Sequence, residues 1–361
     1  MTILQSAFRL IVRPNRVARI RQRVRAWRFE RMHALNTREL RDHASKLRSS
    51  PSILYLDTAS ICNLRCPFCP TGTGSSDIVR GILQPSTFQA IVKRIDLGAL
   101  SQVHLYNWGE PLLNPHLTEY IRFFSMRGKE TVVNANFSAK AYNDAYLTDL
   151  VQSGLTSMVV SVDGATQDVY ERYRVGGSLD RVLGNMRRLH EVKQRMSATL
   201  PFVQFKLLLN KFNETQLDHA RRLAEECGAE LVVHKHFWVP EELRDEWESE
   251  TVRRELGDQP VLSQLNVSDG EIHSECRQMW EALLVNVNGD VFPCCIVQQD
   301  NHKVGNLVEQ SFQSIWNGEK MRQLRTYVVD ADAPKPNFPN HCIKCTNRYC
   351  TLPGVKTKGA L

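Results

Sequence analysis

From Ser52 onward the chain alternates between short apolar runs and amphipathic stretches. Residues 53–57, 103–107, 131–136, 158–162, 202–209 and 230–234 are rich in Val, Leu and Ile and read as strands. Between them lie helical patterns, among them 86–95, 116–126, 179–195 and 214–227. Six strand–helix repeats imply parallel strands joined by right-handed crossovers. Closed or partly closed, that is an α/β barrel, whose chemistry belongs at the C-terminal strand ends. Those ends carry Cys62 after the first strand, Gly109 and Glu110 after the second, Asn136 after the third, and Ser161 and Asp163 after the fourth. The pattern then changes. Residues 240–268 are polar and acidic, with Glu241, Glu242, Asp245, Glu246, Glu248 and Glu250, and read as a linker or surface helix. A hairpin signal follows, 283–287 and 290–294 around Asn288-Gly289. The last stretch, with Pro334, Pro336, Pro339 and Pro353, is loop-rich, as expected where a metal does the work of a core. The organisation expected is a helical arm (1–50), the barrel (51–239), a linker (240–270) and a C-terminal unit (271–361).

Length and composition fit this picture: 361 residues, 42% of them hydrophobic, suffice for one large domain plus an appendage. No stretch approaches the ~18 apolar residues of a membrane span. Arg9 and Arg13 interrupt the first apolar run, which argues against a secretory signal and for the cytoplasm. The net charge of +7 is localised. Residues 1–50 hold thirteen Lys and Arg against three acids, a net +10, leaving −3 for the rest. Val17, Ile20, Val24 and Trp27 recur at helical spacing among Arg19, Arg21, Arg23, Arg25 and Arg28. Such an arm either packs on the domain with a solvated Arg face or touches an anionic membrane surface or an acidic partner. Nucleic acid is the least favoured partner.

Ten cysteines are many for a reducing compartment, where clustered thiols point to metal or catalysis rather than disulfides. Nine lie in 62–69 and 276–350; Cys227 stands alone in a helical pattern and reads as a buried, inert thiol. Cys62-x-x-x-Cys66-x-x-Cys69 follows directly on a strand. Three thiolates so close can hold three irons of a [4Fe–4S] cubane and leave the fourth open to the amino and carboxylate groups of S-adenosylmethionine (SAM). Electron transfer into the sulfonium then yields a 5′-deoxyadenosyl radical. Zinc is the weaker reading here, because no fourth ligand is near in sequence. In the second set, Cys276 and Cys294 are expected at comparable heights on neighbouring strands, with Cys342-x-x-Cys345 closing a four-thiolate cage. Chemistry alone leaves iron–sulfur and zinc open for that cage.

The run Cys62-Asn63-Leu64-Arg65-Cys66-Pro67-Phe68-Cys69-Pro70 resembles the signature loop of the radical SAM superfamily, including the aromatic residue before the last cysteine. The resemblance covers about residues 52–235 and implies a partial (β/α)6 TIM-like barrel. Gly109-Glu110-Pro111 resembles the family's Gly-Gly-Glu-Pro turn, which contacts the SAM amino group; Trp108 replaces the first glycine. Asn136, Ser161 and Arg174 match positions that line the SAM ribose and carboxylate in the family. Cys276, Gly289 and Cys294, then Gly305-Asn306-Leu307, Ile315-Trp316 and Cys342-x-x-Cys345, look like a SPASM/Twitch auxiliary-cluster domain, too short in cysteines for two clusters. The resemblance therefore implies one auxiliary [4Fe–4S] cluster on Cys276, Cys294, Cys342 and Cys345.

These readings predict an enzyme that abstracts a hydrogen atom from a small polar, carbohydrate- or aminocyclitol-like substrate, with flavodoxin or ferredoxin as electron donor. If the auxiliary cluster takes an electron from the substrate radical, the result is oxidation of an alcohol. If a thiol returns a hydrogen to the opposite face, it is epimerisation, with Cys350 the candidate donor and Cys295 a spare thiol. The first 50 residues lack a precursor-peptide recognition pattern, which disfavours the alternative of a peptide- or protein-modifying maturase. A non-catalytic iron–sulfur or zinc scaffold binding RNA is the remaining alternative. His234, Lys235 and His236 at the end of the sixth strand are the candidate general bases.

Overall fold

A computed structural model of the chain describes residues 30–235, 239–256, 276–297, 299–330 and 332–344. Six parallel strands stand on the six apolar runs: β1 (Ile53–Leu56), β2 (Gln102–His104), β3 (Glu130–Ala135), β4 (Ser157–Ser161), β5 (Phe202–Leu208) and β6 (Glu230–His234). Helices fill the crossovers, the longest being Leu179–Arg195, where the apolar period runs unbroken from a Ser178 cap. The two faces of this sheet differ. Leu54, Leu56, Val103, Leu105, Val133, Met158, Val160, Phe205 and Leu207 are buried beneath the helices. Their strand neighbours Tyr55, Gln102, His104, Asn134, Gln204 and Lys206 are only half-buried. A doubly covered parallel sheet would be apolar on both faces. Here helices cover one face, and the other mixes these polar side chains with the half-buried Ile53, Val132 and Val159, as in a partial (β/α)6 barrel.

The hairpin signal resolves into β7 (Ala282–Val285) and β8 (Asp290–Phe292), antiparallel with Val285 opposite Val291. Gly289 supplies the positive φ of 91° that the turn needs. A short strand β9 (Gly305–Asn306) adds to β8. The sequence pattern did not foresee where this unit attaches. β7 pairs in parallel with β1, Tyr55 opposite Leu284, so one nine-stranded sheet runs β6-β5-β4-β3-β2-β1-β7-β8-β9.

Two further stretches pack more closely than their composition suggested. Residues 30–50, with a helix over 30–41, lie against the C-terminal helices. Trp280 Nε1 donates to Ala44 O at 3.0 Å and Trp316 Nε1 to Ser49 O at 2.9 Å. The buried Arg325 guanidinium donates to Ser45 O, Met279 O and Trp316 O at 3.0, 2.9 and 2.8 Å. The Arg-rich stretch 17–28 lies outside the described residues. Among those described, no helix is long and apolar enough to cross a membrane. The acidic stretch expected as a linker forms helices Arg244–Trp247 and Glu250–Leu256, and Trp247 is buried against the barrel. Glu242, Asp245, Glu246 and Glu250 are exposed while one aromatic anchors the stretch, which composition alone does not reveal.

Candidate active site at the strand ends

The loop after β1 is gripped from four sides. Gly109, in the turn after β2, lies so close to it that a Cβ would stand 1.7 Å from Ala59 O, so only glycine fits. Glu110 N donates to Ile61 O at 2.8 Å. The buried Glu110 carboxylate accepts from Asn136 N at 2.6 Å and Leu112 N at 3.1 Å, tying this turn to the end of β3. Burial outweighs those two N–H groups and raises its pKa to about 7. Asn136 Nδ2 reaches Asn63 Oδ1 at 3.0 Å and Cys62 Sγ at 3.5 Å. From the far side, Arg174 Nε donates to the fully buried Asp163 carboxylate at 2.6 Å, and Nη1 to Cys66 Sγ at 3.7 Å. Asp163 also accepts from Leu208 N at 2.7 Å, which links β4 to β5. Gly109, Glu110, Pro111, Asn136 and Arg174 thus gather around Cys62 and Cys66. Ser161 sits deeper on the inner face, its Oγ donating to Asn134 Oδ1 at 3.0 Å.

Burial pushes the Cys62 thiol up to about 12 and raises that of Cys66, so both are neutral until a metal displaces their protons. A cubane takes each thiolate on a different iron, which suits three cysteines spread along one loop. Two buried polar groups at the same strand ends lack a well-formed hydrogen bond: Trp108 Nε1, and the Asp57 carboxyl, which the Asn107 and Ala59 N–H groups approach only in poor geometry. Native interiors rarely leave such groups orphaned, and a bound polar ligand supplies partners. The donor set and its surroundings therefore fit a cluster with SAM.

The second set is built from distant segments. Cys276 precedes the short helix Gln278–Glu281, and Cys294 and Cys295 follow Pro293 beyond the end of β8. The expected placement of Cys276 and Cys294 on neighbouring strands is therefore corrected: Pro293 offers no N–H, and β8 stops before it. Cys294 and Cys295 hydrogen-bond each other, and Gln278 Nε2 donates to Cys295 Sγ at 3.7 Å. Cys342 is buried in the turn His341–Lys344. Cys345 and Cys350 lie outside the described residues. Cys227 is buried, its thiol directed at Leu183 O.

Near the second set runs a row of side chains that motif reading missed. Tyr55, Cys294 and Cys295 pack against one small apolar cluster, and Tyr55 stacks on His104, ring centroids 4.4 Å apart and 18° from parallel. His104 Nε2 lies 2.6 Å from Gln102 Oε1, and its Nδ1 3.1 Å from the Tyr106 hydroxyl. The carbonyl of Gln102 can only accept, so Nε2 carries the ring proton, and Tyr106 donates to Nδ1. Burial lowers the His104 pKa to about 4, which keeps the ring neutral. The available signal was the alternation Gln102-Val103-His104-Leu105-Tyr106, which puts three polar side chains on one strand face. By contrast, His234 is exposed on the edge strand β6 and Lys235 follows it, while His236 lies outside the described residues.

Comparison with known proteins agrees with this geometry. Residues 57–223 match the family model described as the radical SAM superfamily, and residues 276–346 match SPASM, an iron–sulfur cluster-binding domain. The chain is 24% identical over 305 residues to the mycofactocin maturase MftC of Mycobacterium tuberculosis, covering 76% of this chain and 73% of that one. It is 20% identical over 299 residues to the SAM-dependent 2-deoxy-scyllo-inosamine dehydrogenase of Niallia circulans, covering 81% and 92%. Among solved structures, SAM-bound SuiB of Streptococcus suis is similar in fold, with a TM-score of 0.60 at 14% identity over 87% of this chain and 75% of that one.

Proposed function

The chain belongs to the radical SAM superfamily and carries a SPASM iron–sulfur domain, and from this premise we propose that it oxidises a secondary alcohol on a small, polar, carbohydrate- or aminocyclitol-like substrate. The observation that carries this reading is the polar inner face of the barrel. His104 bonds Gln102 and Tyr106, and Ser161 bonds Asn134, and together with Gln204 and Lys206 these side chains keep further donor and acceptor capacity for a polyhydroxylated ligand.

On this reading Cys62, Cys66 and Cys69 hold the SAM cluster, with Glu110, Asn136 and Arg174 fixing the loop. Cys276, Cys294, Cys342 and Cys345 hold one auxiliary cluster. Bound there, the clusters and SAM supply hydrogen-atom abstraction from the substrate and a sink for one electron. Converting an alcohol to a ketone removes two hydrogens; the first leaves as an atom, the second as a proton and an electron. Tyr106 donates to His104 Nδ1, which leaves its oxygen free to accept from the substrate hydroxyl and orient it. Because burial keeps the imidazole neutral, the proton leaves through this hydroxyl to water and does not stay on the ring.

The test is anaerobic turnover of reconstituted protein in deuterium oxide, with 2-deoxy-scyllo-inosamine and related aminocyclitols as probes. The expected product is two mass units lighter and carries no deuterium at the oxidised carbon. Tyr106→Phe should still form 5′-deoxyadenosine yet yield about 10²-fold less ketone. Deuterium at that carbon would indicate epimerisation by a thiol such as Cys350. The likeness to MftC supports a second reading, a peptide maturase. Product formed only from peptide probes would replace the first reading with the second.

A further inference from the structure

Trp247 belongs to neither cysteine set, yet it touches the first. Its ring meets Phe68, the residue just before Cys69, edge-on at 5.0 Å between centroids and 78°. It also meets Phe212 at 5.0 Å and 81°, and Tyr173 at 6.0 Å and 67°. Tyr173 packs on Phe68 at 5.8 Å and directly precedes Arg174, the donor to Cys66 Sγ. Phe68, Leu208, Val239 and Trp247 form a buried apolar cluster of their own, separate from the main core. Its members come from the cysteine loop, the end of β5 and the stretch after β6. Nothing in a linker requires this. A spacer between two units is solvated, whereas this one has its aromatic 7% exposed and is fastened at both flanks. Lys211 N donates to Trp247 O at 3.0 Å, and Ser249 Oγ bonds to Glu214 Oε2.

We propose that residues 239–249 form a wall over the Cys66–Cys69 turn, with Trp247 as the positioning residue that keeps water and dioxygen from the SAM cluster. The inference rests on the assignment of that cluster to Cys62, Cys66 and Cys69 and adds a residue outside the barrel to its surroundings. The apolar shell around an iron–sulfur centre governs solvent access and, with it, potential and oxidative lability. Edge-to-face aromatic contacts hold Phe68 in one place, and Phe68 sits within the loop whose geometry presents Cys66 and Cys69. Removing the indole opens that side to water and leaves Phe68 without its largest neighbour. The wall also gives the acidic segment a reason to stay on the barrel: its Asp245 and Glu248 pair outward with Arg253 while Trp247 points in.

The test uses reconstituted full-length protein carrying Trp247→Ala, Trp247→Leu or Trp247→Phe, exposed to air. Loss of each cluster is followed by electron paramagnetic resonance of dithionite-reduced samples, where the SAM cluster is the one whose signal shifts when SAM is added. Ala and Leu should lose the SAM-responsive signal several-fold faster than wild type and raise its midpoint potential, while Phe stays close to wild type. The auxiliary signal should decay at its wild-type rate in all three. Leu keeps apolar volume, so it covers the case in which Ala does not fold. Equal decay of the SAM cluster in Leu and wild type would overturn the proposal. So would equal acceleration of both clusters, which marks general loosening. Wild-type protein with no SAM-responsive signal would instead sink the cluster assignment itself, and this inference with it.

Discussion

The two cysteine sets are built on opposite plans. The first lies on eight consecutive residues, Cys62 to Cys69, in a loop that neighbouring strand ends grip through Gly109, Glu110, Asn136 and Arg174. The second is assembled from Cys276, Cys294 and Cys342, which span more than sixty residues, and reaches the barrel where β7 pairs with β1. Local chain geometry presents the first; tertiary structure has to gather the second. The first should therefore be the more independent. Its grip comes from the barrel's own strand ends, while the second depends on β1, the strand from which the first loop departs.

The sharpest break tests that independence. Cys62, Cys66 and Cys69, all changed to Ala, should reduce SAM cleavage to background while the auxiliary spectrum survives. Continued 5′-deoxyadenosine formation by that variant would refute the assignment outright. A smaller effect is expected from the other set. Wild type should bind about eight irons, as two [4Fe–4S] clusters require. Cys276→Ser with Cys294→Ser should bind about half of that and keep the SAM-responsive signal. About four irons with one zinc in wild type would show the second set to be a zinc site.

The same contrast explains what the sequence made legible. The six parallel strands and the helix Leu179–Arg195 are periodic over their own length, so their pattern is complete within a short window. The Cys62–Cys69 loop is likewise a short-range signal. The pairing of β1 with β7 is not, because it joins residues more than 220 positions apart, and all four residues of β7 are buried. The placement of Cys294 failed for a local reason, Pro293, that the hairpin pattern overrode. Trp247 was hidden in a segment, 240–268, whose eight acidic residues dominate its composition. His104 and Tyr106 were in view as an alternation, yet their meaning came only from Tyr55, which stands beside them through the β1–β2 pairing.

The last prediction concerns the seam itself. Asp57 ends β1, the strand both regions share, and its N–H donates to Val285 O on β7 at 2.8 Å. Its side chain is fully buried, with neither carboxylate oxygen in a well-formed hydrogen bond. Burial raises its pKa from 3.8 to about 8, against the pull of the Asn107 and Ala59 N–H groups. The folded chain thus holds this proton more tightly than the unfolded chain. Between those two values the native state binds more protons, so stability falls as pH rises. The contribution is fully present below pH 3.8 and is lost as pH passes through about 8. The full loss is roughly 6 kcal/mol, about half of it between pH 5.5 and 8.5. Asp57→Asn copies the protonated shape without the ionisation, so its stability should lack that part of the pH slope. Urea unfolding of metal-free, reduced protein at pH values from 5.5 to 8.5 measures this. Glu110 titrates in the same direction, so the informative quantity is the difference between wild type and Asp57→Asn. That difference should shift in favour of the variant as pH rises. A difference independent of pH would mean the Asp57 carboxylate is already ionised and solvated at the seam, and the two regions would be joined less tightly than the β1–β7 pairing implies.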